Sequence, residues 1–294
     1  MNGKVTITRE IGPLPTRRDD AHKGDVGRVM IVGGSFHEVA MAGAPALVAN
    51  AAFRAGAGLV QILVPDRLLM PVAVLTPCAT MRLLPTTAEG LLRAAEEFNA
   101  DVVAIGPGLG QSLESKEILA FLNGFGGQVV VDADGLNRLA EVPQVVIPHP
   151  GHTVLTPHPG ELRRLLAAHG ATPPTGDVAT ARRDAAYTLV EKVGGTVVLK
   201  GRGTVVTDGT RLYVNETGNS GMATGGTGDV LTGIIAALIG QRMALLEAAI
   251  LGVYLHGLAG DFAAEELGRC SMTALDIIDY LPEAFCEHEN AGAE

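Results

Sequence analysis

The segment Asn219-Ser220-Gly221-Met222-Ala223-Thr224-Gly225-Gly226-Thr227-Gly228-Asp229 places four glycines in eleven residues, immediately before an apolar run at 230–238. A loop that opens a buried apolar helix points unpaired backbone N–H groups and the positive end of the helix dipole at one spot, which suits a phosphoryl group. Glycine is needed there because a side chain would block close approach or forbid positive φ. The backbone of Gly225, Gly226, Thr227 and Gly228 is therefore the expected anion hole. Asp229, in the first helical turn, would stand beside the bound phosphoryl group and accept the proton of a substrate hydroxyl, as a catalytic base. An isolated Gly-Asp would read as a helix cap. The whole loop favours the base instead. No Gly-Lys-Ser/Thr follows a spaced glycine, and no Gly-x-Gly-x-x-Gly follows the first strand, so the loop is neither a P-loop nor a dinucleotide fingerprint.

The elements that must position this loop are legible as short runs rich in Val and Ile, at 28–32, 59–64, 101–105, 128–131, 153–155 and 196–199. Stretches of helical composition, such as 44–55 and 161–169, lie between them. Continuous apolar strands alternating with helices predict an α/β fold, a mainly parallel sheet with helices on both faces. Ligands in such folds bind beyond the carboxyl ends of the strands. Those ends are followed by Gly33-Gly34-Ser35, Gly106-Pro107-Gly108-Leu109-Gly110, Asp132-Ala133-Asp134, Thr156-Pro157-His158-Pro159-Gly160-Glu161 and Lys200-Gly201-Arg202-Gly203-Thr204. A hairpin turning at Asp208-Gly209 follows, and from Asp229 onward the chain reads as helices. One domain over 1–294 is expected, with no internal repeat.

Composition narrows the partners. The formal charge of −10 disfavours long-range attraction to nucleic acid or to an anionic membrane. The apolar stretch 230–255 is interrupted by Gln241, Arg242 and Glu247, so two buried helices are expected rather than a membrane span. Cys78, Cys270 and Cys286 lack the spacing of zinc or redox motifs, and the N-terminus has no apolar signal segment; a cytoplasmic protein with reduced thiols is the expectation. His149 and His152 lack acidic partners at metal spacing and read as surface residues, and no metal ligand is assignable. His158, between two prolines, is open to a structural or a functional role, as are Asp132, Asp134 and Asn137 at a strand end. Lys200 by itself is equally open between surface lysine and site residue.

The loop Gly-Gly-Thr-Gly-Asp-Val-Leu resembles the anion hole and base of the ribokinase-like superfamily, which implies a three-layer sandwich. The motifs at 23–29, 33–35, 54–60, 106–110, 132–137 and 156–161 together resemble the ADP/ATP-dependent NAD(P)H-hydrate dehydratase family, over roughly residues 20–285. The resemblance implies nucleotide-dependent dehydration of the S epimer of hydrated NADH or NADPH back to the working cofactor. The hydrate hydroxyl is phosphorylated, phosphate is then eliminated, and AMP and phosphate are released if ADP is the donor. It also implies that Lys200, Gly201, Arg202, Gly203, Thr204 and Gly228 contact the nucleotide, while Ala44, Gly106, Gly108, His158 and Asp229 face the hydrate. Mg2+ riding on the nucleotide phosphates, ADP in preference to ATP, and a homotetramer are further implications. Many bacterial relatives are fused to an epimerase domain for which 294 residues leave no room, so a separate epimerase acting on the same substrate is expected. Two alternatives remain, a ribokinase-like kinase of the thiazole or pyrimidine type and a non-catalytic nucleotide-binding sensor.

Overall fold

The computed structural model describes residues 5–37, 39–175 and 178–291. Met1–Lys4 of the N-terminal segment lie outside them.

The apolar runs form the parallel centre of one ten-stranded sheet. Strand β1 is Thr6–Thr8, β2 Arg28–Val32, β3 Leu59–Val64, β4 Thr80–Leu83, β5 Val102–Ile105, β6 Gln128–Val131, β7 Thr153–Leu155, β8 Thr196–Leu199, β9 Val205–Thr207 and β10 Arg211–Val214. Their order is β1-β10-β9-β8-β7-β6-β5-β2-β3-β4. From β2 the chain steps outward to β3 and β4, then returns across β2 to β5 and steps the other way to β8. The order therefore reverses between β2 and β5, which is where an open α/β sheet leaves a crevice at its carboxyl edge. Strand β9 runs antiparallel between β8 and β10 as the expected hairpin, and β1 adds to β10 in parallel.

Alternate residues of each central strand enter opposite cores because side chains alternate across a pleat. Val29, Ile31, Val102, Ala104 and Val130 meet helices α1 (Gly43–Arg54), α2 (Leu69–Leu75), α8 (Thr227–Gly240), α9 (Leu245–Leu267) and α10 (Ala274–Ala291). Met30, Val32, Val103, Ile105 and Val131 meet α3 (Ala88–Phe98), α4 (Ser115–Gly124), α5 (Asp134–Leu139), α6 (Pro159–Ala167) and α7 (Val178–Val193). Three layers result, as expected. Helix α9 is long and apolar enough to cross a membrane by composition, yet its apolar residues are buried among α8, α10 and the sheet, so here it is a core helix. It and α8 are the two buried helices expected across 230–255.

Candidate active site

The glycine-rich segment is held before it opens α8. Asn219 caps a short turn at Ser220–Met222 by accepting from the Gly221 amide, and its Nδ2 donates to the Gly260 carbonyl and to Asp261 Oδ1 on α9. Asp261 also accepts from the Gly218 amide at 2.7 Å. This loop is thus tethered, not loose. Gly226 is the N-cap of α8 at φ +93°, a left-handed conformation that glycine adopts without penalty. The cap is therefore Gly226 and not Asp229, which stands third in the helix, in its first turn.

Beneath the loop lies a cluster of charges at the strand ends. Asp132, 1% exposed, follows β6 and accepts from Lys200 Nζ at 2.5 Å and from Thr232 Oγ1 of α8 at 2.8 Å. Lys200 is consequently not a surface lysine. A methyl group placed on Gly228 would come within 3.3 Å of its Nζ, so the ammonium sits against the opening of α8. Burial works against the Lys200 charge, but Asp132, Glu161 and Asp229 outweigh it and raise its pKa. The Asp229 carboxyl has no hydrogen-bond partner among the described residues. Burial, then the negative charge of Asp132, push it up to about 7, with Lys200 opposing. Glu161, 4% exposed, is likewise pushed up to about 7, by burial above all.

The other expected positions surround this cluster. Gly106 is buried at the end of β5, where a methyl group would lie 1.9 Å from the Asp132 carbonyl oxygen. Gly108 is buried against Ala44 in the first turn of α1, and a methyl group there would meet Ala44 Cβ at 3.0 Å. The Lys200–Thr204 loop is closed by a bond from Thr204 Oγ1 to the Gly201 carbonyl at 2.9 Å, with Gly201 at φ +130°. Arg202 is exposed, as is Gly225. His158 is the N-cap of α6, accepting through Nδ1 from the Gly160 amide at 2.8 Å. Its Nε2 lies 3.3 Å from Glu161 Oε1, and Glu161 Oε2 accepts the His158 amide at 2.7 Å, completing a capping box. The ring has a structural task and also stands at the rim. Its pKa is lowered by burial and by Lys200 and Arg164. Asp134 accepts from the Gly110 amide at 2.8 Å, which ties the β5 and β6 loops together, and Asn137 bonds to Asp134 and Arg164. His149 and His152 are exposed, and a His149 ring nitrogen lies 3.2 Å from the Asn123 carbonyl oxygen.

Three residues escaped the sequence reading. Glu161 was visible only as part of its motif, although a Glu three residues after a cap is a capping-box signal. Arg182 on α7 donates to the carbonyls of Leu199 and Lys200 at 3.0 and 3.1 Å, and gave no local signal. His256 is the polar side chain among the buried residues of α9 and gave no motif.

A sequence model of the NAD(P)H-hydrate dehydratase family matches residues 29–283. The chain is 38% identical over 255 residues to the ADP-dependent (S)-NAD(P)H-hydrate dehydratase of Neisseria meningitidis serogroup B, covering 86% of this chain and 82% of that one. It is 43% identical to a bifunctional NAD(P)H-hydrate repair enzyme of Moorella thermoacetica, covering 92% of this chain and 51% of the relative. The chain thus spans about half the length of the bifunctional relatives it matches. Among solved structures, the ADP/ATP-dependent NAD(P)H-hydrate dehydratase of Bacillus subtilis, co-crystallised with ATP and Mg2+, superposes with a TM-score of 0.78 at 28% identity, over 94% of this chain and 95% of that chain. The architecture is that of the ribokinase-like superfamily. With a family match across the whole central sheet, and with the glycine-rich loop, Asp229 and the Lys200–Asp132 pair gathered at its carboxyl edge, the chain belongs to the NAD(P)H-hydrate dehydratase family.

Proposed function

We propose that the protein dehydrates the S epimer of hydrated NADH or NADPH, using ADP as phosphoryl donor. The observation that carries the reading is Asp229, a carboxyl group without a hydrogen bond, poised at about 7 in the first turn of a helix whose opening amides face the same space. Hydroxide is a poor leaving group. In the proposed reaction the hydrate hydroxyl gives its proton to Asp229 as its oxygen forms a bond to the terminal phosphorus of ADP, and the bond to the bridging oxygen breaks to release AMP. The amides of 225–228 and the Lys200 ammonium neutralise charge on the transferring group. The ring nitrogen lone pair then expels phosphate to leave an iminium, and the neighbouring ring carbon gives up a proton to the departing phosphate, which places the double bond in the ring and restores the reduced nicotinamide.

Within this reading the Lys200–Thr204 loop and Gly228 hold the nucleotide, and Ala44, Gly106, Gly108 and His158 line the hydrate side. The packing of Gly228 against Lys200 Nζ, and of Gly108 against Ala44, supports that division. A Mg2+ would ride on the nucleotide oxygens, which it bridges with few protein ligands. When bound, such an ion screens the phosphate charge. An epimerase activity would feed the S epimer to this site. Three exposed free cysteines, Cys78, Cys270 and Cys286, favour the reducing cytoplasm.

Mixing the protein with NADH hydrate and ADP tests the proposal by the return of reduced-nicotinamide absorbance. A phosphorylated hydrate that accumulates would instead make it a kinase. Asp229→Asn should lower kcat by roughly 10²–10⁴-fold, the span of a lost general base, with ADP still bound. An unchanged kcat in that variant would take the role of base from Asp229, and ADP binding with no turnover in the parent protein would make it a nucleotide sensor.

A further inference from the structure

The loop before α8 rests on a row of α9 groups. Asn215 Nδ2 donates to the Val253 carbonyl, Thr217 Oγ1 to the Tyr254 carbonyl, and Asn219 Nδ2 to the Gly260 carbonyl and Asp261. His256 belongs to the same stretch and is the single polar side chain among the buried residues of α9. It is 8% exposed, and its Nε2 has no hydrogen-bond partner. The ring faces the backbone of Thr227, the first residue of α8. Burial, with the Lys200 charge, pushes its pKa down to about 4, so it is a neutral imidazole with one donor and one acceptor nitrogen. Thr227 Oγ1 is also buried without a partner. Native interiors rarely leave such atoms unpaired, and two belonging to touching residues can satisfy each other after a small movement. A residue that only filled space under α8 would be apolar like its neighbours Leu255 and Ala259.

We propose that His256 is a positioning residue for phosphoryl transfer: through Thr227 it aims the opening amides of α8 at the transferred group, the Thr227 hydroxyl pairing with its ring as the anion hole closes. This rests on the phosphoryl-transfer reading of the site. The catalytic burden stays with Asp229 and the amides, and His256 touches neither substrate.

The test compares His256→Leu, His256→Gln, Thr227→Val and the His256→Leu/Thr227→Val double variant, each with its melting temperature. The Leu variant should lose roughly 10–100-fold in kcat, the cost of a small misplacement at a reacting centre. KM for hydrate and ADP should hold within about twofold, and Gln should recover part of the loss by supplying donor and acceptor. Because both act through one pair, the double variant should be no slower than the worse single variant. Amide exchange across 226–230 gives a readout independent of turnover: ADP should slow it in the parent protein and not in the Leu variant. Unchanged kcat in the Leu variant, a loss confined to KM, multiplying effects in the double variant, or equal ADP protection in parent and Leu variant would each overturn the proposal. A parent protein that binds ADP but does not dehydrate the hydrate overturns the functional reading instead, and the exchange experiment still decides the role of His256. If the Leu variant does not fold, His256→Asn takes its place, and an unchanged kcat together with unchanged ADP protection in that variant overturns the proposal.

Discussion

Glu161 is buried and Asp229 half-buried, both in the field of Lys200 and Asp132, and both carboxyl groups are pushed up to about 7. A base must be ionised to accept a proton, so kcat/KM should climb as pH rises through about 7 and level off above it, with the limb lost in Asp229→Asn. The stability sign is opposite. A carboxyl whose folded pKa is raised binds more protons folded than unfolded, so its contribution is present below about 4 and is lost as pH rises through about 7. Asp229→Asn should therefore melt a few degrees higher than the parent protein at pH 8. Lys200 works in the other direction, holding Asp229 down. Lys200→Met should shift the acid limb to higher pH. It should also cost about 3–5 kcal/mol in urea unfolding, because Asp132 is left as an uncompensated buried charge. A Met variant with an unmoved limb would remove Lys200 from the electrostatics of the base.

Helix α8 carries the base and α1 carries Ala44, so the distance between these helices sets the width of the site. They cross at Gly233, where a methyl group would lie 2.2 Å from the Val48 carbonyl oxygen. Gly233→Ala must push α8 off α1, and should destabilise by about 1–3 kcal/mol while lowering kcat although residue 233 touches no ligand. Chemical denaturation and steady-state rates check the two parts. The central strands and both C-terminal buried helices were legible because parallel strands covered on both faces read as unbroken apolar runs. Strands β1 and β4 were not, since Thr6-Ile7-Thr8 and Thr80-Met81-Arg82-Leu83 lie at the two edges, partly exposed and short of apolar residues. The loop and Asp229 could be read because their signal is contiguous. The Lys200–Asp132 pair could not, because its members are 68 residues apart and only the sheet order brings them together. His256 was hidden by its apolar surroundings.

Across the molecule, a net charge of −10 coexists with exposed apolar side chains. Met70, Val74 and Leu75 of α2 and Leu83 of the edge strand β4 are exposed, Val74 at 75%. We propose that this side meets further copies of the chain in the expected tetramer, and Met70→Glu with Val74→Glu should lower the mass measured by light scattering while the melting temperature holds. An unchanged mass would move the interface elsewhere. Asp132 has a last consequence, of timing. Its carboxylate joins β6 to β8 and, 100 residues along the chain, to Thr232 of α8. Contacts so distant in sequence form slowly, since the intervening chain must first be brought together. A refolding chain should thus regain helical signal ahead of catalysis, and the working centre would be among the last things it acquires.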